Sequence, residues 1–211
     1  MASLQDRILQ GFKNAGLSLN QARIITAEVG RENSFDPSIV FGVHTDPKNK
    51  KNNVGMLSWQ NGRETPLLKS LKSNGLLEGG RIKNDQKSLD LMARYAVHEM
   101  RTKPEYAQTK KQFLDNPEVP YQDAVAVLGR NFIRWRFDDP QYASGHRNRD
   151  QFYAQLGGSK GVYEPEIVPK NMMASKSNYE PELVPKNMMQ TQQIPQQQVY
   201  EPELVPANMM T

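Results

Sequence analysis

Two glutamates on one predicted helix are the first residues of this chain that could do chemistry. The segment SLNQARIITAEVGRENSFDP begins with Ser18 and Gln21, whose spacing is that of a capping box at a helix start. Counted from Ile25, Glu28 and Glu32 fall at i+3 and i+7, so they share the apolar, core-facing side of the helix. An apolar setting raises the pKa of a carboxyl group, which is what a general acid working near neutral pH needs.

The residues after Glu32 predict where this helix ends. Pro37 disfavours helical backbone at Asp36, and Asn33 and Ser34 are weak helix formers. Glu32 should therefore lie in the last turn, at the edge of a cleft. Two ionised glutamates four residues apart repel each other, so we expect one to hold a proton or to pair with an arginine. The alternative is that Glu32 is an ordinary solvated or ion-paired residue.

A second motif, VGMLSWQNGR at residues 54–63, suits a carbohydrate-binding wall. Its apolar run contains Trp59 and is closed by Asn61 and Gly62, a strong turn signal. Aromatic side chains stack on the apolar faces of pyranose rings, so a tryptophan beside such a turn could line a sugar site.

Together the two motifs resemble the phage tail lysozyme family, part of the lysozyme-like superfamily that includes goose-type lysozymes and soluble lytic transglycosylases. The family pattern is roughly E-S-G-F-N-P and then G-x-x-Q-W-x-x-x-R, and this chain has ENSFDP and GMLSWQNGR. The likeness spans about residues 16–156. It implies that Glu32 is the catalytic acid and that Ser58, Trp59 and Arg63 contact the substrate. Ser58 replaces the family's glutamine, and Asn33-Ser34 replaces its Ser-Gly.

The resemblance also implies a role for Asp46. Goose-type enzymes carry an acidic residue that positions water about where Asp46 lies, fourteen residues after Glu32. The alternative is that Asp46 is a turn residue before Pro47.

A further helix is predicted from Pro120 to Phe137, and it interleaves arginines with aromatic residues. At helical spacing, such residues usually form core aromatics with arginines that meet buried carboxylates. In the family a similar segment packs over the catalytic helix. We expect Arg134 or Arg136 to neutralise Glu28, which would leave Glu32 free to titrate.

The predicted fold is mainly α, a lysozyme-like helical domain over residues 1–157 with a small β-hairpin region, followed by an extended tail over residues 158–211. The other expected helices are Leu4–Ala15, Leu67–Ser73, the segment from Asp85 to Thr102, and the segment from Pro104 to Leu114. His98 and Glu99 lie on the helix that Asp85 caps, where a structural or solvated role is expected for both.

Net charge and composition limit the classes of molecule that the protein is expected to bind. The chain carries a net charge of +4, and because the residues from Ser159 onward carry four lysines and six glutamates, the first 158 residues carry +6. A basic domain suits a polyanion, either nucleic acid or peptidoglycan with its lactyl and peptide carboxylates. No nucleic-acid-binding motif is present and the basic residues are scattered, so peptidoglycan is the expected partner. No cysteine occurs, and we expect no metal and no cofactor.

The N-terminal sequence and the hydropathy of the chain predict how the protein reaches its site of action. The N-terminal segment is an amphipathic helix pattern without the apolar run of a signal peptide, and no stretch is long and apolar enough to span a membrane. We therefore expect a virion or an injection machine to carry the protein to the host cell envelope.

The tail contains three near-identical copies of one eleven-residue sequence. They are YEPEIVPKNMM at 163–173, YEPELVPKNMM at 179–189 and YEPELVPANMM at 200–210. Two prolines in each copy prevent a continuous helix, so we expect linear docking motifs for an oligomeric phage tail protein such as a hub, tube or spike. The alternative is a disordered spacer. The expected docking residues are Tyr163, Val168, Met172, Met173, Tyr179, Val184, Met188, Met189, Tyr200, Val205, Met209 and Met210.

The function implied by the resemblance is that of a virion-associated muramidase, which cleaves the β-1,4 bond between N-acetylmuramic acid and N-acetylglucosamine. Three alternatives stay open. A lytic transglycosylase would use the same acid, a virion structural protein would keep the fold without the chemistry, and a nucleic-acid packaging accessory would bind DNA in a salt-sensitive way.

Overall fold

A computed structural model describes residues 2–45 and 52–159, and over these residues the chain is mainly helical. The α-helices are α1 (Leu4–Asn14), α2 (Leu19–Asn33), α3 (Pro37–Val40), α4 (Glu64–Ser73), α5 (Gln86–Thr102), α6 (Ala107–Thr109), α7 (Tyr121–Val127) and α8 (Ala143–Gln155). Asp46 and the three repeats of the tail lie outside the described residues.

Helix α2 is the central element of the domain. The predicted capping box is present, since the Ser18 hydroxyl accepts from the Gln21 backbone amide and the Gln21 side chain accepts from the Ser18 amide. Buried residues occur on nearly every face of α2, which packs against α1, α7 and α8. A helix enclosed on most sides is held by packing rather than by intrinsic propensity, so its C-terminal end is fixed in position.

Two short antiparallel hairpins accompany the helices. Strand β1 (Val43–Thr45) pairs with β2 (Asn52–Val54), with Val43 opposite Val54. A small β-hairpin region was predicted, without bounds. Strand β3 (Leu77–Glu78) pairs with β4 (Arg81–Ile82), and this second hairpin was not predicted. Its turn consists of Gly79 and Gly80, both with positive φ, which glycine adopts without steric cost.

The predicted helix from Pro120 to Phe137 is helical through Ile133, and the prediction is wrong for its last four residues. After α7 the helix widens into a π-helical turn, Leu128–Ile133. The helix ends at Arg134, which adopts the left-handed conformation. The backbone then folds back, because the Trp135 amide donates to the Gly129 carbonyl at 3.2 Å. Phe137 packs on Gly129, where a Cβ would come within 2.3 Å of the ring.

Other helix boundaries differ less from the predictions. Helix α4 begins at Glu64 rather than Leu67. The segment from Pro104 to Leu114 is helical throughout but passes from a 3-10 turn through α6 into a π-helical turn. No helix in the described ranges has the length and apolar character needed to cross a bilayer.

Candidate active site

Glu32 lies in the last turn of α2, as predicted, and its side chain borders a cleft of about 270 Å³. The side chain is 21% exposed, so the carboxylate is neither in the core nor in open solvent. An ionisable group at the wall of a cleft is a candidate for general acid chemistry on a bound substrate.

Four separate segments build this cleft. Helix α2 contributes Glu32, the loop after β2 contributes Ser58 and Arg63, the 3-10 turn after α5 contributes Glu105 and Tyr106, and the π-helical turn after α7 ends at Arg134. The structure thus brings to one place Glu32, Ser58 and Arg63, which were predicted for catalysis or substrate binding, together with Arg134, which was predicted to support Glu28. Sequence reasoning missed Glu105 and Tyr106, because their only local signal is a proline that opens a turn.

Unusual backbone conformations cluster around the cleft. Within the described residues, positive φ outside glycine occurs at Ser34, Phe35, Ser58, Asn61 and Arg134. The first two lie two and three residues after Glu32, and the other three line the cleft. Such conformations cost free energy for residues with a Cβ, and they concentrate at sites where a function requires them.

Arg31 holds the Glu32 carboxylate in place. Its Nη2 donates to Glu32 Oε1, and its Nε donates to Glu28 Oε2 at 2.7 Å. Trp135 covers the guanidinium, with 4.1 Å between Arg31 Cζ and the ring centroid. Burial alone would lower the pKa of Arg31, but the charges of Glu28 and Glu32 outweigh it and raise that pKa. Of the two outcomes expected for one of these glutamates, a retained proton or a pairing with an arginine, the structure shows the second, and it shows it for both.

The second partner of Glu28 comes from α8. Arg149 and Glu28 are both fully buried, and Arg149 Nη1 lies 3.5 Å from Glu28 Oε1. Asp150 accepts from Arg149 Nη2 at 2.9 Å, which completes the charge balance around the guanidinium. Burial favours the neutral form of Arg149, but Glu28, Tyr121 and Asp150 together more than compensate and raise its pKa. A buried carboxylate with two arginine partners satisfies the requirement that buried charges be paired.

The expectation that Arg134 or Arg136 neutralises Glu28 and leaves Glu32 unpaired is therefore wrong, because Arg31 and Arg149 bind Glu28 and Arg31 also binds Glu32. Both residues follow the π-helical turn, where the chain has already left the helical path that would have aimed them at α2. Arg134 donates from Nε to the Asn131 carbonyl at 3.0 Å. Arg136 is 69% exposed and lies 3.9 Å from Asp139.

Trp59 is a core residue and not a wall of the cleft, which corrects the second prediction. Its side chain is fully buried and packs edge-on against Tyr95, with 5.7 Å between ring centroids. The indole Nε1 donates to Glu99 Oε2 at 2.8 Å. A buried indole needs such an acceptor, so Glu99 explains why the ring turns inward.

Glu99 is structural, as predicted, and it also holds Arg63. Arg63 Nη2 donates to Glu99 Oε2 at 2.8 Å, and Lys103 Nζ donates to Oε1 at 2.7 Å. Burial would raise the pKa of Glu99, but the hydrogen bonds from Arg63, Lys103 and Trp59 lower it overall. Arg63 therefore borders the cleft with most of its guanidinium already bound.

The end of α2 is tied to the loop that carries Ser58. Asn33 Nδ2 donates to the Met56 carbonyl at 2.9 Å, and Asn33 Oδ1 accepts from the Phe35 amide at 2.9 Å. These bonds fix the position of Glu32 relative to the opposite edge of the cleft.

The described residues contain a larger cavity, of about 560 Å³, beside Lys111 and Asp123. It includes none of the residues predicted for the site. Across the described ranges, no three His, Cys, Asp or Glu side chains come together as a metal site.

No protein-family model, curated protein or solved structure matches this chain. The resemblance to phage tail lysozymes therefore depends on the two sequence motifs.

Proposed function

We propose that this protein is a muramidase of the lysozyme-like superfamily, carried on a phage particle and acting on peptidoglycan in the host cell envelope. The observation that carries the proposal is the position of the Glu32 carboxylate. Glu32 lies in the last turn of a buried helix and borders a cleft, three of whose lining residues have positive φ. Reactive groups in enzymes are held in this manner by rigid surrounding elements.

The geometry of the two motifs supports the resemblance. Ser34, which stands where the family pattern has glycine, adopts the left-handed conformation that glycine prefers. Gly55 matches the glycine of the second pattern, and a Cβ there would lie 2.6 Å from the Met92 sulfur. Trp59 and Arg63, the tryptophan and arginine of that pattern, bind the same carboxylate, Glu99. Each of these motif residues therefore has a specific structural role.

In the proposed reaction Glu32 donates its proton to the glycosidic oxygen as the bond from that oxygen to the anomeric carbon breaks. The departing sugar leaves with a new hydroxyl group, and an oxocarbenium-like centre forms on the other sugar. Arg31 then stabilises the carboxylate that remains on Glu32.

The second half of the reaction separates the lysozyme from the lytic transglycosylase. Attack by water gives a reducing end, whereas attack by the sugar's own 6-hydroxyl gives a 1,6-anhydro end. Hydrolysis with a positioned water needs a second carboxylate. Asp46 was the candidate from sequence and lies outside the described residues, while Glu105 borders the same cleft as Glu32.

The tail repeats are proposed to attach the enzyme to an oligomeric tail protein. Three linked copies of a weak docking motif give higher avidity than one copy. Removal of two repeats should therefore weaken binding to the phage tail, and full-strength binding after that deletion would contradict the proposal.

The test of the enzymatic proposal is clearance of purified cell walls by the intact protein and by Glu32→Gln. We expect the substitution to abolish clearance, since an amide cannot donate the proton, while the unfolding transition stays near that of the wild type. Equal clearance by both proteins would remove Glu32 from the mechanism. No clearance by either would favour the virion structural protein.

A further inference from the structure

Arg134 differs from the other arginines around Glu32 in having its terminal nitrogens available to a ligand. Arg31 bridges two glutamates, and Arg63 is bound to Glu99. Arg134 is exposed at the cleft, and its Nε donates a hydrogen bond to the Asn131 carbonyl. Across the described part of the chain, no carboxylate forms an ion pair with Arg134.

We propose that Arg134 binds a carboxylate of the substrate beside the bond to be cut, so that the enzyme selects glycan strands carrying free carboxyl groups over neutral ones. This inference rests on the proposed function and adds a substrate class to it.

The guanidinium of Arg134 is held ready for such a ligand. Its Cζ lies 5.1 Å from the centroid of the Tyr106 ring, which is itself buried and packed edge-on against Phe132 at 5.1 Å. The backbone φ of Arg134 is +61°, so the side chain projects from a fixed, left-handed position. Because one hydrogen bond and one ring already restrict the side chain, less conformational entropy is lost when a carboxylate binds.

The charges of the cleft explain why an arginine is needed there. Glu32 and Glu105 both border the cleft, and carboxylates repel an anionic substrate in a partly dehydrated site. Arg31 and Arg63 are already paired with protein carboxylates, so they offset this repulsion only in part. A planar guanidinium can bind a carboxylate through two parallel hydrogen bonds, which makes Arg134 the suitable group.

The test compares one preparation of peptidoglycan in two forms, native and with its carboxyl groups converted to amides. Both are digested by the full-length wild type, Arg134→Gln and Arg134→Lys, with Arg136→Gln as the matched control for charge. Arg136 is two residues away, is mostly exposed, and does not border the cleft. Unfolding transitions of all four proteins are measured on the same samples.

We expect Arg134→Gln to lose roughly ten- to hundredfold in kcat/KM on native wall, the range typical of a charged hydrogen-bonded pair. The same variant should lose little on amidated wall, because the interaction is already absent there. Arg134→Lys should fall between, since lysine keeps the charge but not the paired donors. Arg136→Gln should behave like the wild type on both substrates.

Equal losses of Arg134→Gln on native and amidated wall would overturn the inference and leave the proposed function intact. Absence of cleavage by the wild type would reject the proposed function instead. The inference is then decided by cosedimentation with the two walls: a preference for native wall that Arg134→Gln alone removes supports it, and an unchanged preference overturns it.

Discussion

Arg31 sets the charge balance of the site, since it contacts both glutamates that the sequence singled out. The sequence predicted that one of these glutamates would hold a proton or pair with an arginine. It could not identify Arg149, which is 121 residues from Glu28 and is brought there by the packing of α8 on α2. Side-chain pairs on one helix can be read from spacing, whereas pairs between distant helices depend on the tertiary fold.

Glu28→Gln is expected to destabilise the protein by about 3–5 kcal/mol, because it leaves two buried arginines without their shared carboxylate. Denaturant unfolding followed by circular dichroism measures this change. Glu32→Gln serves as the control, since its side chain is partly exposed and contacts one arginine. Similar stabilities for the two variants would contradict the structural role of Glu28.

Trp59 illustrates why residue type alone does not predict function. A tryptophan beside a turn suits a sugar-binding wall or a core anchor equally well. The choice depends on Glu99, forty residues away, which accepts the indole hydrogen bond. Periodicity placed Glu99 on a helix but could not show which residue it would bind.

Trp59→Phe should therefore lower stability by about 1–3 kcal/mol through the lost hydrogen bond, with KM for peptidoglycan unchanged. Tyr142→Phe, at an exposed aromatic residue, is the control for general effects of aromatic substitution. A raised KM with unchanged stability would restore Trp59 to the sugar-binding wall.

Helix α2 was predicted closely because its boundaries are set by local chemistry. Its capping box and the weak helix formers before Pro37 are both readable from sequence. What could not be read is the way its end is fixed, by Asn33 to the Met56 carbonyl and by aromatic rings that close over Gly30.

Gly30→Ala should disturb that end of the helix. The new Cβ would lie 2.6 Å from Phe152 and 2.7 Å from Phe35, so these rings must move, and Phe35 follows the C-cap of α2, three residues after Glu32. We expect a loss of about 1–3 kcal/mol from overpacking together with a lower kcat. Gly11→Ala is the matched control, because its nearest contact, the Leu89 carbonyl at 3.3 Å, lies in α5 and not at the cleft. An unchanged kcat in Gly30→Ala would contradict the link between helix end and site.

Glu99 links helix α5 to the loop of the second motif. We expect the stability that this link contributes to fall at acidic pH. Because the pKa of Glu99 is held below its ordinary value of 4.5, its ionised form stabilises the fold above about that pH. This contribution is lost as pH falls through the lowered pKa. Unfolding free energies measured from about pH 6 to pH 3 should fall less steeply for Glu99→Gln than for the wild type.

Asp138→Asn is the comparison for this acid response. The pKa of Asp138 is also lowered, first by its hydrogen bond from Arg130, but its side chain is 63% exposed. Solvent weakens such a pair, so this substitution should change the pH slope less. A larger change for Asp138→Asn would contradict the assignment of the acid response to Glu99.

Over the whole domain, the sequence predicted a mainly helical fold and most helix positions, and these are confirmed. The main incorrect prediction was the end of the helix after Pro120. Helical periodicity in the sequence continues through Phe137, but the chain turns back at Arg134. That turn depends on the packing of Trp135 and Phe137 against Gly129, which no local pattern reveals. The turn also places Arg134 at the cleft and makes it a candidate for substrate binding.

The central claim is that Glu32 of the whole protein cleaves glycan strands, and mass spectrometry of the muropeptides released from purified peptidoglycan tests it most directly. We expect the wild type to release muropeptides with reducing N-acetylmuramic acid ends and Glu32→Gln, folded to the same extent, to release none. Products ending in 1,6-anhydro sugars would reassign the enzyme as a lytic transglycosylase with the same acid. The same products from wild type and Glu32→Gln, or none from either, would contradict the account.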